Sequence, residues 1–245
     1  MPSSAPSAPC IATAGWAIPR PVAEMFPTEG SGLQRYAARF DGVEINSTFY
    51  RPHRPATLLR WAQTTPPGFR FALKLPRAIT HEERLVDCRG LIEAFRRDAE
   101  VLGDKLGPLL VQLPPSLQFD TTTVDAFMGD LRAVWPDAAV CEPRHVSWFE
   151  PAADEMLRAW RVGRVAADPQ RHPLAGAPGG WDGIAYWRLH GSPRMYYSAY
   201  SDADLAALAS RIRDACAEAW CVFDNTTSGA AMANALTLQS LLAAA

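Results

Sequence analysis

The 245 residues suffice for one large domain, and a make-up of 48% hydrophobic and 20% charged residues suits a chain that buries a full core. A net charge of −2, from 24 basic and 26 acidic side chains, argues against wholesale wrapping of nucleic acid but leaves room for a local basic patch. Five cysteines at irregular spacing, without a C-x-x-C, speak against a disulfide framework and for a reducing compartment.

Residues 1–9 (MPSSAPSAP) have neither the basic nor the apolar region of a secretory signal and read as a disordered tail. No apolar stretch approaches the roughly 20 residues that span a bilayer, so a cytoplasmic protein without membrane partners is expected. From residue 10 onward, short apolar runs at 11–13, 42–49, 70–75, 108–113, 138–142, 162–168, 183–190 and 220–225 read as strands. Helical spacing of apolar residues appears at 33–40, 55–63, 91–102, 122–134, 151–160, 202–220 and 230–242. Pro55 and Pro151 mark first turns, and Asp202 precedes Leu205 as a start signal. The sixth connection, 169–182 (PQRHPLAGAPGGWD), is rich in Pro and Gly and reads as a loop. Strands alternating with helices imply a parallel sheet, and eight such units favour a single TIM-type (β/α)₈ barrel over 10–245 that lacks a regular helix after its sixth strand.

Polar residues close these strands one after another. Side chains alternate across a strand, so Glu44 with Asn46, Glu142 with Arg144, and Arg188 with His190 each share a face. Lys74, Gln112, Asp168 and Asn225 close other strands singly. Barrel enzymes place their chemistry at the carboxyl ends of the strands, so this pattern locates one functional mouth. Each residue alone has a plainer reading as an exposed loop residue or a structural ion pair; the shared position is what counts.

The runs GW (15–16), VEINSTFYR (43–51), LGPLLVQLPPS (106–116), EPRHVSW (142–148), YWRLHG (186–191) and FDNTTSGAAMANAL (223–236) resemble the YecE-like family, domain-of-unknown-function family 72. The resemblance runs in order from the first strand to the C terminus. It implies a TIM-type barrel and no particular activity. Two departures stand out: Ala14 where the family usually has Ser, and Asp224 where it commonly has Asn.

For chemistry, Glu44, Glu142, Asp168 and His190 are the candidates to move protons. Lys74, Arg144 and Arg188 are candidates to grip an anion, with Asn46, Gln112, Tyr200 and Asn225 as further substrate contacts. Arg51, Arg77 and His53 extend the basic rim, while His81 and His172 read as ordinary loop histidines. Trp16, Tyr50, Trp148, Tyr196, Tyr197 and Tyr200 offer flat surfaces or loop packing in about equal measure.

The cofactor is left open. A divalent ion on His190, Glu44, Glu142 and Asp168 is conceivable but not favoured, since no H-x-H or H-E-x-x-H occurs and two arginines compete for the carboxylates. A G-x-S-x-G elbow and a G-x-G-x-x-G loop are both missing, which removes the usual serine-hydrolase and dinucleotide readings. The expectation is an enzyme, hydrolase or lyase, acting on a phosphorylated or other anionic small molecule. A nucleic-acid binder or processing enzyme and a non-catalytic ligand-binding barrel are the alternatives.

Overall fold

The computed structural model describes residues 8–215 and 218–244; residues 1–7 of the expected tail lie outside the described residues. Among the described residues there are ten strands and seven α-helices, which alternate except where β6 to β9 follow one another without an α-helix. The strands are β1 (Cys10–Thr13), β2 (Gly42–Ile45), β3 (Arg70–Lys74), β4 (Leu106–Gln112), β5 (Ala139–Glu142), β6 (Val162–Arg164), β7 (Ala166–Asp168), β8 (Gly179–Gly180), β9 (Ile184–Leu189) and β10 (Glu218–Phe223). The helices are α1 (Gly32–Ala37), α2 (Pro55–Thr64), α3 (Arg89–Ala99), α4 (Thr121–Val134), α5 (Pro151–Ala159), α6 (Asp202–Arg213) and α7 (Ala230–Ala243).

Local chemistry explains most starts. Ser31 and Ser201 each close a capping box, with Gln34 and Asp204, and Asp120 caps α4 through the Thr123 amide. Pro55 and Pro151 open their helices at positions where the missing N–H is of no consequence. The helix expected over 202–220 stops at Arg213, and β10 begins at Glu218, which pairs with Ile184 and whose carboxylate binds Arg70 at 2.9 Å. Apolar spacing alone did not register that edge.

The ladders form two sheets, β1–β10–β9–β7 and β2–β3–β4–β5–β6–β8, parallel except where β8 runs antiparallel to β6. The expected sixth strand is divided between them: β6 pairs with β5, and after Val165 β7 pairs with β9. At the other junction a single parallel bridge joins Ala14 to Glu44. The hydrogen-bonded ladder is thus two sheets meeting at two seams.

The sixth connection lacks an α-helix, as its composition implied; a 3-10 turn at Pro173–Gly176 and β8 stand in its place. Arg164, 5% exposed, holds it by donating to Asp154 (2.8 Å) and to the Leu174 carbonyl (2.7 Å). Asp154 also accepts from Gly180 N at 3.1 Å, so charge-assisted bonds replace helix packing here.

Two apolar layers follow from strand alternation. Residues such as Val43, Phe71, Leu109, Cys141, Trp187 and Cys221 pack under the helices. Their neighbours Ala72, Leu110, Val140, Val165, Tyr186, Trp220 and Val222 form a second cluster on the opposite, inner face. Gly107 lets β4 approach β3 where the register shifts: a Cβ would lie 2.9 Å from Ala72 N and from the Phe71 carbonyl, both backbone. Gly107→Ala is therefore expected to cost about 1–3 kcal/mol through overpacking. Urea unfolding checks this, and a variant as stable as the parent removes the close-approach argument.

Candidate functional site

The inner face changes character along its length. Above the apolar cluster, at the carboxyl ends of β2, β5, β9 and β10, it becomes a set of buried charges. Arg188 on β9 is fully buried and donates through Nε and Nη2 to Glu44 (3.0 and 2.6 Å) and through Nη1 to Glu142 (2.7 Å). Its Nη2 also reaches Asp224, just beyond β10, at 3.1 Å. Burial opposes its charge, but Glu44, Glu142 and Asp224 outweigh that and hold the guanidinium protonated. Tyr186 Oη donates to Glu44 at 2.9 Å, and Asn46 Nδ2 donates to Asp224 at 3.2 Å. Arg188 was expected to grip a ligand. Its nitrogens are instead taken up by protein carboxylates, which makes it a scaffold.

His190 lies one step further along the same face, 1% exposed. Its Nδ1 is 3.0 Å from Asp224 Oδ2 and its Nε2 is 3.1 Å from Glu142 Oε1. Arg144 Nη2 also comes within 3.1 Å of Nε2, and the same guanidinium pairs with Glu142. Arg144 Nε is buried and has no hydrogen-bond partner among the described residues. Burial disfavours ionisation of Glu142, yet Arg188, Arg144 and His190 together hold its carboxyl well below the usual range. For Asp224 burial likewise opposes, and Arg188, His190 and Lys74 lower it.

Lys74, 8% exposed at the end of β3, sets its Nζ 4.2 Å from the centre of the Phe49 ring. Burial first, then the nearby Arg188 charge, pull its ammonium down to about 8. The His81 ring packs edge-on against Phe49 at 4.9 Å, and its basicity is lowered by burial and then by Lys74, Arg77, Arg144 and Arg84. His81 therefore belongs to the mouth, although its sequence context read as an ordinary loop. Tyr196 covers the cluster from the loop after β9, its ring edge-on to His190 at 5.8 Å. Gln112 is in register with Glu142 and half-buried.

Three expected residues stand elsewhere. Asp168 is in register with Leu189, on the helix-facing side, and accepts from Tyr200 Oη at 2.8 Å. Tyr200 Oη in turn accepts from Gly191 N at 2.8 Å. Asn225 follows Phe223 on that side and donates to Ser198 O (2.9 Å) and Asn234 Oδ1 (3.0 Å). These bonds tie the loop after β9 to α7, away from the charge cluster. Trp16 packs edge-on against Trp61, and Trp148 is fully buried with its Nε1 on Leu117 O, so neither is an open platform. Asp224 and Tyr186 are the cluster members that sequence reasoning underrated. Both follow from period-two alternation, with 186, 188 and 190 on one strand and 220, 222 and 224 on the next.

The divalent-ion set considered from sequence does not assemble, because Asp168 is on the other face and Arg188 and Arg144 fill the space among the carboxylates. Among the described residues no group of three or more His, Cys, Asp or Glu is arranged to hold a metal.

Residues 10–245 match the family described as "Protein of unknown function DUF72". The UPF0759 protein YecE of Escherichia coli, strains K12 and O157:H7, is 36% identical over 84 residues, which are 34% of this chain and 31% of those relatives. The aligned part thus spans about a third of the curated relatives' length. A DUF72 family protein of Enterococcus faecalis superposes with a TM-score of 0.78 at 20% identity, covering 96% of this chain and 95% of that one. One from Thermotoga maritima gives 0.77 at 25% identity, covering 95% and 98%.

Removing the cation at the centre of the cluster leaves buried carboxylates uncompensated, so Arg188→Met is expected to lose about 3–5 kcal/mol at pH 7. Glu142 and Asp224 are held below their ordinary values, near 4 for free carboxyls. Their contribution is complete above that range and is lost as pH falls through the depressed folded-state values. The deficit of Arg188→Met relative to the native chain should therefore narrow as pH drops from neutral towards 3. Thermal unfolding across that range measures it, and a deficit independent of pH rules out the ion cluster as the cause.

Proposed function

Because the chain belongs to the DUF72 family of proteins of unknown function, we propose its role from its own site: an enzyme, hydrolase or lyase, that acts on a phosphorylated or other anionic small molecule at the carboxyl ends of its strands. The observation that carries this reading is the two-sided setting of His190 Nε2. An acceptor, Glu142 Oε1, and a donor, Arg144 Nη2, both stand 3.1 Å away. The ring can therefore gain or lose a proton there and find a partner in either state, which is what a general acid–base group needs. Asp224 on Nδ1 fixes the ring's orientation.

Arg144 is the anion anchor in this reading. Among the described residues its buried Nε has no partner, and an unmade charged hydrogen bond is costly to a fold unless a ligand completes it. Arg144, Lys74, Arg77 and Arg84 are all close enough to His81 to lower its basicity, so positive charge gathers on this side of the mouth and draws an anion inward. Asn46 and Gln112 stand beside the cluster as polar contacts. The reading also treats the two sheets as one TIM-type ring of eight strand positions. It is supported by the shared run 162–168 and by the Ala14–Glu44 bridge at the opposite seam. The thiols of Cys10, Cys88, Cys141 and Cys221, free among the described residues, suit a reducing compartment, such as the cytoplasm.

Inorganic phosphate should raise the melting temperature of the native chain, and Arg144→Gln should weaken its binding at least about tenfold, a difference of roughly 1.4 kcal/mol. Equal phosphate binding by both proteins sinks the anchor. Hydrolysis of p-nitrophenyl phosphate should fall about 10²–10⁴-fold in His190→Asn with the fold retained. Undiminished turnover takes His190 out of the mechanism.

A nucleic-acid strand is the second reading, favoured by Tyr50 at 75% exposure and by Tyr197, whose ring has the Arg194 guanidinium 3.9 Å from its centre. It calls for a gel shift with a single-stranded oligonucleotide that weakens steeply with salt, and no shift at low salt removes it.

A further inference from the structure

Of the 24 basic side chains, only Lys74 and Lys105 are lysines; the other cations are arginines. Lys105 explains itself. Its ammonium donates to Ala62 O (2.5 Å), Thr65 O (2.6 Å) and Thr65 Oγ1 (3.0 Å), tying α2 to the start of β4. Lys74 is the opposite case. It is 8% exposed, and among the described residues no hydrogen bond or ion pair reaches its Nζ, which faces the Phe49 ring. The three carboxylates of the mouth are engaged by Arg188, Arg144, Asn46 and Tyr186. An arginine at 74 would supply the same charge, but it could never become a nucleophile.

We propose that Lys74 is an amine nucleophile, and that the anionic ligand of the mouth is an oxo acid whose carbonyl carbon it captures as an iminium while the ligand's carboxylate rests on Arg144. The proposal rests on the anion reading of the site and names the substrate class within it. The neutral Nζ attacks the carbonyl carbon, a C–N bond forms, and the C=O π pair moves to oxygen, which takes up a proton. The nitrogen gives up one of its protons to regain a lone pair, the hydroxyl takes up a second proton, and it leaves as water while that lone pair closes the C=N bond. Amine plus carbonyl plus one proton gives iminium plus water, with no oxidant or reductant. His190, with a donor and an acceptor at one ring nitrogen, is the group suited to passing the proton.

The surroundings of Lys74 favour this use. Burial and the neighbouring Arg188 charge lower the ammonium to about 8, which leaves a usable fraction of free amine near neutral pH. Lys105 and the chain's N-terminal amine are internal competitors in the same molecule.

The test is reductive trapping of the native chain with glyoxylate and cyanoborohydride, followed by peptide mapping. Lys74 should be modified at least about tenfold more than Lys105, with a rate that climbs as pH rises towards 8 and then levels. In Lys74→Arg the modification at 74 should vanish while that of Lys105 and the N terminus persists. Lys74 modified no more than Lys105 overturns the proposal, and this outcome is read from the native protein whether or not the variant folds.

Glycolate, an anion of similar size without the carbonyl, separates the two claims. If both acids raise the melting temperature in an Arg144-dependent way and no adduct forms on Lys74, the anion site stands and the iminium falls. If Lys74 is trapped but Arg144→Gln changes neither trapping nor melting, the amine stands and the anion anchor falls.

Discussion

Arg188 is a full positive charge placed where no water reaches it, and the arrangement at the strand ends follows from what that placement demands. Moving a guanidinium or a carboxylate out of water costs several kcal/mol per ion, so each must find partners of good geometry. The planar fork of arginine meets that demand by serving Glu44 with Nε and Nη2, Glu142 with Nη1, and Asp224 again with Nη2. These partners come from different sheets. Arg188 and Asp224 belong to the sheet of β9 and β10, while Glu44 and Glu142 belong to β2 and β5 of the other. The ion cluster is therefore a clasp between the two sheets at their carboxyl ends. Such a clasp contributes specificity of arrangement more than net stability, because its attractions mostly offset the desolvation they require.

Once the clasp has used its donors, what is left over defines the chemistry. Every nitrogen of Arg188 has a protein acceptor, Glu44 has Arg188 and Tyr186, and Asp224 has Arg188, His190 and Asn46. The capacity that remains sits one layer outward, at Arg144 Nε and Lys74 Nζ, with His190 between the layers. Glu142 links them, since Arg188, Arg144 and His190 all converge on it. Losing the charge of either arginine leaves Glu142 short of a partner that its burial requires, so the two layers depend on each other through this one carboxylate.

Much of this was legible from the sequence, for a reason particular to parallel strands. The strands are buried on both faces, so they read as apolar runs, and the polar residues that end them stand out at i and i+2. Glu44, Asn46, Glu142, Arg144, Arg188 and His190 were found in that way, and they meet. Asp168 and Asn225 also end their strands but have the opposite parity, and a position count without the alternation put them in the wrong layer. Asp224 was underrated for the same reason, although Trp220 and Val222 mark its face. His81 carried no signal, because its place at the mouth depends on the packing of a loop against Phe49. The split of residues 162–168 between two sheets was equally silent, since a strand-like run looks the same whether its neighbours continue or change.

Charge distribution explains how a chain with a net charge of −2 can present an anion site. In the cluster Arg188, Arg144 and Lys74 stand against Glu44, Glu142 and Asp224, so the floor is close to neutral. At the rim Arg77 and Arg84 act on His81 together with Lys74 and Arg144, and Arg77 is offset by Glu82 at 3.1 Å. Exposed charges act over about 8 Å at physiological salt, which suffices to guide a ligand across the mouth but not to hold a long polyanion across the molecule. Orientation is then left to the buried, directional donor on Arg144, whose bond is worth more where water is excluded. A weak outer field with a strong inner contact favours a small anion that fits entirely within the mouth.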